Sequence, residues 1–288
     1  MKTNPNNQSL NSKNQTTGMR RPFGNEPDVS IFTLGTMRAV TSSEQMYEVV
    51  KAAFLADINH IETAPAYGPA EELLGKAIKK LKEEGKQPQG GWVLTSKILP
   101  GLTLPESKNQ LKNILNRLGI KRINNLAIHG INLDEHLDWS LNGEGADFIN
   151  WAKDKNLVGQ VGFSSHGSIS LIQKAIESNQ FKFCSLHLHL LDLKRIPLSK
   201  IALRKGMGVI AISPADKGGR LQDPSQTLIK DCHPIPPLEL AYKFLLAEGI
   251  STLTVGACNT KDLDLAKKLL KNYSSLNSIE KESLRNLQ

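Results

Sequence analysis

Four ionisable side chains, Glu62, Tyr67, Lys97 and His129, stand where short apolar runs of the sequence give way to polar residues. A carboxylate, a phenol, an ammonium and an imidazole converging at such ends are groups suited to proton transfer at a polar bond. Taken singly, each has a plainer reading. A tyrosine after a strand is usually a half-buried packing residue, a lysine a surface charge and a histidine a satisfied core imidazole. Lys97 alone would also suit the Schiff-base chemistry of a barrel lyase. His187 and His189 lie two apart, which puts them on one strand face at a spacing found in metal sites. Apart from His129 no third ligand is evident at neighbouring run ends, so no metal is expected.

The runs that must position these groups are SIFTLG (30–35), NHIET (59–63), WVLTSK (92–97), NLAIHG (125–130), QVGFSS (160–165), FCSLHLHL (183–190), GVIAIS (208–213) and TLTVGA (252–257). Amphipathic stretches separate them. Ser42-Ser43-Glu44, Pro69, Pro105 and Pro237 mark helix starts, and Gly119, Gly206 and Gly249 mark helix ends. Eight strand–helix units predict a (β/α)₈ barrel, a TIM barrel, as a single α/β domain over residues 19–288, whereas a doubly wound sheet usually has about five or six strands. Barrels of this kind carry their chemistry at the carboxyl ends of the strands. Those ends hold the four ionisable groups, then Ser164-Ser165 and Ser213.

The 288-residue chain has a formal net charge of +8, with lysines scattered among acids and apolar residues, as in KAIKKLKEEGK. Solvated helix faces account for this pattern, and no nucleic-acid partner is expected. No apolar run approaches the roughly 18 to 20 residues of a membrane span, and the start is polar. A cytoplasmic protein without membrane association is the expectation. Cys184, Cys232 and Cys258 are too scattered for a disulfide framework or a metal cluster. Residues 1–18 are rich in Asn, Gln, Ser and Thr, which predicts a disordered polar tail. Oligomeric state is not readable from the sequence.

INHIETAPAYGPAEELLGKAI, with TSK at 95–97 and IHG at 128–130, resembles the signature of the aldo-keto reductases. GTM at 35–37, GFSSHG at 162–167, ISPADKGGRL at 212–221 and TVGACNTKDL at 254–263 extend the resemblance over about residues 20–270. GFSSHG, HGIN and SPADKGGRL are most similar to a divergent bacterial branch, some of whose members carry an iron-sulfur segment; the cysteines that segment would require are absent here. The resemblance implies an oxidoreductase that moves hydride between NADP(H), or NAD(H), and a small carbonyl or alcohol substrate. It makes Tyr67 the general acid or base, Lys97 the cation that stabilises its phenolate, His129 a hydrogen-bond partner of the carbonyl oxygen, and Glu62 the ion-pair partner of Lys97.

The resemblance also assigns a cofactor seat. Gly35, Thr36 and Met37 follow the first strand, Ser164 and Ser165 stand for the Ser-Asn pair that usually holds the carboxamide, and Ser185 stands for the usual Gln. Ile212 replaces the Tyr on which the nicotinamide usually stacks, beside Ser213, while Lys217 and the glycines after it offer charge and amides to the pyrophosphate. Gly256, Asn259 and Lys261 fall where the 2′-phosphate is commonly gripped. Glu62 itself stands where the family usually has Asp, a methylene longer. These departures leave a second reading: a nucleotide-binding barrel with little turnover, acting as a redox sensor or scaffold.

Overall fold

The computed structural model describes residues 19–287; the stretch 1–18, expected as a tail, lies outside them. The described chain begins with an antiparallel hairpin, β1 (Arg20–Phe23) and β2 (Glu26–Ser30). Eight parallel strands follow: β3 (Phe32–Gly35), β4 (His60–Glu62), β5 (Val93–Ile98), β6 (Ile123–Ile128), β7 (Val158–Ser165), β8 (Phe183–His187), β9 (Gly208–Ile212) and β10 (Thr252–Gly256). They close in the order β10-β3-β4-β5-β6-β7-β8-β9. The expected eight-stranded barrel is therefore present, and each expected run overlaps one of its strands, although β5, β6 and β7 extend one or two residues beyond theirs. The sixth run is shorter than expected: β8 stops at His187, and His189 makes only an isolated bridge to Asp192.

The outer layer consists of α1 (Ser43–Leu55), α2 (Ala70–Glu83), α3 (Leu104–Leu118), α4 (Asp134–Leu141), α5 (Glu144–Asp154), α6 (Ile169–Glu177), α7 (Ile196–Arg204), α8 (Gln226–Cys232), α9 (Pro237–Ala247), α10 (Asp264–Asn272) and α11 (Ser278–Leu287). Local chemistry sets their limits. Ser42 accepts a hydrogen bond from the Gln45 amide at the start of α1, and Thr103 and Glu106 form a reciprocal capping box on α3. Gly119, at φ 67°, ends α3 in the left-handed conformation. No helix of the described residues is long and apolar enough to cross a membrane.

Two cores result. The larger lies between the outward strand faces and the helices; a smaller one, Phe23, Val29, Val93, Ala127, Phe183 and Ile210, fills the amino-terminal end of the barrel. Phe23 is its plug, fully buried, with ring centroids of His60 and Phe183 each 5.3 Å away. Gly208 is required beneath it, because a Cβ there would lie 2.4 Å from the Phe23 ring.

Above the plug the barrel axis is polar. Thr252 and Thr33 hydroxyls are 2.6 Å apart, Thr33 meets His60 Nδ1 at 2.7 Å, and His60 Nε2 meets Thr95 at 2.7 Å, all sealed from solvent. Burial pushes His60 down to about 4, so the ring is neutral and uses one nitrogen as donor and the other as acceptor. This chain of hydroxyls and imidazole is the floor on which the ionisable cluster rests.

Candidate active site

Each of the four ionisable residues comes from a strand end or the turn just beyond it. Glu62 is the last residue of β4, and the 3₁₀ turn Pro65–Tyr67 brings the phenol back over the barrel mouth. Gly68, at φ 60°, redirects the chain into α2. Lys97 projects from β5, and His129 follows β6 with its amide bonded to the Ile98 carbonyl at 2.7 Å. Lys97 Nζ lies 2.6 Å from Glu62 Oε1 and donates to the Tyr67 hydroxyl at 2.9 Å. It also donates to the Thr63 carbonyl at 3.2 Å. The rings of Tyr67 and His129 meet edge-on, with centroids 6.3 Å apart.

Burial governs the protonation states here. It opposes ionisation of Glu62, but the Lys97 ammonium and the Thr254 hydroxyl, 3.1 Å away, hold the carboxyl below its ordinary value. Burial likewise opposes the charge on Lys97, and Glu62, followed by Tyr67, overrides it and keeps the ammonium above its usual range. Schiff-base chemistry needs a neutral amine, so this pairing removes the basis of the lyase reading. Tyr67 is pushed up by burial and by Glu62, with Lys97 pulling the other way. The tuning expected of Lys97 is therefore present in direction but outweighed, first by burial and then by Glu62. The phenol is a protonated donor at neutral pH. His129 is lowered to about 4 by burial and by Lys97, and is a neutral imidazole.

The cluster opens into a cavity of about 930 Å³ at the carboxyl ends of the strands. Gly35, Thr36 and Met37 line one side of it, and Ile212, Ser213 and Lys217 another. Gly256 and Ser164 also reach it; a Cβ on Gly256 would come to 3.4 Å from Arg38 Cδ, and Ser164 Oγ accepts from the Gly130 amide at 3.0 Å. The other expected cofactor residues do not line it. Ser165 donates to the Ile131 carbonyl and accepts from the Gly167 amide, on the opposite side of β7 from Ser164, as strand alternation dictates. Ser185 pairs in register with Ser164 but is wholly buried, and its hydroxyl has no partner. Asn259 caps its own turn, accepting from the Lys261 and Asp262 amides, and Lys261 is exposed outside the cavity.

Arg38, Asn132, His166, Asp216, Gln222 and Thr254 line the cavity and were not anticipated. Arg38 directly follows the GTM motif and His166 directly follows Ser164-Ser165, so the strand-end rule extended by one residue finds both. Asp216 lies in the loop after β9, at φ 64°, a conformation unusual for a residue with a Cβ.

A closed (β/α)₈ barrel with a phenol, a buried ion pair and a neutral imidazole around a cavity at the strand ends has the groups that proton transfer at a polar bond requires. Residues 32–280 match the model of the aldo/keto reductase family. Among solved structures, aldo-keto reductase AKR11C1 from Bacillus halodurans in its holo form is 19% identical, with a TM-score of 0.79, covering 94% of this chain and 96% of that one. An aldo-keto reductase from a Medee basin deep-sea metagenome library is 18% identical at a TM-score of 0.73, covering 93% and 94%. The Bombyx mori aldo-keto reductase AKR2E4, solved in complex with NADP, is 18% identical at 0.72, covering 94% and 93%. These three likenesses concern the fold. The family match decides the assignment: the chain belongs to the aldo/keto reductase family and is an oxidoreductase.

Proposed function

We propose that this enzyme interconverts a small carbonyl compound and its alcohol with NADP(H), Tyr67 serving as the general acid in reduction and the general base in oxidation. The observation that carries the reading is Lys97 Nζ standing between Glu62 Oε1 and the Tyr67 hydroxyl at the cavity floor. The cavity suits a dinucleotide. Its volume is in the range of ligand sites, and Arg38 and Lys217 supply cations for phosphates. Ile212 offers an apolar face for the nicotinamide and Ser164 a hydroxyl for its carboxamide.

When bound, the reduced nicotinamide supplies a hydride to the carbonyl carbon. The protein's part is to manage the oxygen. His129, neutral, donates a hydrogen bond that orients the carbonyl and stabilises the growing negative charge. Tyr67 passes its proton to that oxygen, which as an alkoxide is far more basic than a phenolate. Lys97 then donates to the phenolate left behind, and Glu62 keeps Lys97 charged and aimed. Oxidation runs the same transfers backwards.

A second reading, a binder with little turnover, is favoured by the cofactor end, where Ser165 and Ser185 turn elsewhere and an aliphatic Ile212 replaces an aromatic platform. Fluorescence titration with NADPH and NADH, followed by absorbance assays on a panel of aldehydes and ketones, separates the two. Carbonyl-dependent NADPH oxidation supports the enzyme; tight binding with none supports the binder.

A further inference from the structure

Eleven buried side-chain polar atoms of the described residues lack a hydrogen-bond partner, and three of them belong to residues that stand together: His187 Nε2, His189 Nδ1 and Asp216 Oδ2, the last of which meets only the ion-pairing guanidinium of Arg220. A lone unpartnered buried group is a cost of folding, of about 1 to 3 kcal/mol. Three together, all Lewis-basic, describe a set of ligands. Two come from the end of β8 and just beyond, where alternation places positions 187 and 189 on the same side; their ring centroids are 4.7 Å apart. The third comes from the loop after β9, where Asp216 is held at φ 64°. One ligand atom from each residue falls within 4.8 Å of the others.

We infer that His187, His189 and Asp216 bind one divalent transition-metal ion of borderline softness, for which Zn²⁺ is the natural probe. Two imidazoles and a carboxylate suit that class, and they leave coordination positions open for water or substrate. Ligand atoms about a tetrahedral zinc stand about 3.4 Å apart, so the three groups need close by little more than an ångström, within reach of imidazole and carboxylate torsions. The existing partners of Asp216 permit this. The Lys217 amide donates to Oδ1 at 2.6 Å and can stay, and His189 Nε2 is already 3.6 Å from the same oxygen. Arg220 Nε lies 2.7 Å from Oδ2, but its side chain is 75% exposed and is displaced to solvent at little cost. His166, whose ring centroid is 6.1 Å from that of His187, stands next to the set and on the cavity wall. Asp216 also lines the cavity, so a bound ion would tie the loop after β9 to β8 along the edge of the reaction chamber.

The site is independent of the redox reading and is tested without cofactor or carbonyl. The full chain without a histidine tag, freed of metal by chelator and dialysis, is titrated with Co²⁺ by visible absorption and with Zn²⁺ by calorimetry. One equivalent of each is expected, with Co²⁺ d–d bands of nitrogen–oxygen ligation. His187→Gln, His189→Gln and Asp216→Asn should each weaken binding by more than about tenfold, whereas His136→Gln, at a half-buried histidine of α4, should not. Binding unchanged in the three variants, or no saturable binding to the wild type, overturns the inference. Circular dichroism establishes that each variant is folded; for any that is not, the wild-type cobalt spectrum decides, since bands without imidazole ligation reject the site.

Discussion

Glu62 and Lys97 form a 2.6 Å ion pair whose side chains are only 4% and 2% exposed, and the same ammonium donates to Tyr67 at 2.9 Å. A charge pair sealed this well has lost its hydration on both sides, so each partner depends on the other. Lys97→Met should destabilise the fold by about 3 to 5 kcal/mol, because it leaves the Glu62 carboxylate alone in the barrel. Adding Glu62→Gln should restore most of that loss, since a neutral pair carries no uncompensated charge. Urea midpoints of the two single variants and the double variant measure the coupling; strictly additive losses would show that the pair is not the unit described.

Tyr67→Phe should lower carbonyl turnover by about 10² to 10⁴ fold while leaving NADPH affinity unchanged, because only the proton-donating oxygen is removed. Retained turnover in a variant that still binds cofactor would reject Tyr67 as the acid. His129→Ala should cost turnover by about 10² to 10³ fold as the loss of a single oxyanion donor. Wild-type His129 is neutral above about 4, so kcat/KM between pH 5 and 8 should show no step assignable to its titration.

His60 predicts a pH dependence of stability that has nothing to do with turnover. Its pKa falls from 6.5 unfolded to about 4 in the fold because of burial. The unfolded chain therefore binds a proton first as pH drops, and the stability linked to His60 is full above 6.5 and lost progressively as pH falls to about 4. The loss amounts to about 3 kcal/mol. His60→Gln, which retains a donor and an acceptor toward Thr33 and Thr95, should flatten that part of the profile in denaturant melts at pH 4 to 7. An identical slope would place the acid sensitivity elsewhere.

The barrel was readable because each strand is a short apolar run bounded by turn residues; Glu62, Lys97 and His129 were readable because they stand at the ends of such runs, and Tyr67 because it follows Glu62 by five residues in the turn beyond. What stayed hidden depends on contacts that no local pattern encodes. The hairpin of β1 and β2 carries Pro22 and Pro27 among charged residues, which argues against strands in sequence, yet an isolated two-stranded ribbon tolerates proline. Asp216 meets His187 and His189 only because the loop after β9 folds back over β8. The serines show the opposite case: alternation alone separates Ser164 from Ser165, so their different fates were available from the strand period.

The hairpin yields its own prediction. Phe23→Ala removes the plug of the inner core and should destabilise the protein by about 3 to 5 kcal/mol, as for other large aromatic truncations. The active cluster lies at the other end of the barrel, so the folded fraction should keep its KM for NADPH. A thermal melt and a Michaelis analysis below the melting temperature test both halves. A change in KM without loss of stability would mean that Phe23 acts on the site through the polar axis of Thr33, His60 and Thr95 and is not a structural plug.

Ile212 sits at the end of β9 on the cavity wall, only partly buried, where the proposed nicotinamide would lie against it. An aliphatic side chain covers one face of a flat ring less completely than an aromatic one does. Offset stacking adds about 0.5 to 1.5 kcal/mol beyond area burial. Ile212→Tyr should therefore tighten NADPH binding by about two- to tenfold, read by protein fluorescence, provided the larger ring is accommodated by the open mouth and not by β9 itself. The companion Ile212→Val should leave affinity nearly unchanged, because it preserves the aliphatic character and removes one methylene. If the tyrosine weakens binding while valine strengthens it, the wall at position 212 is limited by space, and the nicotinamide lies against some other part of the cavity.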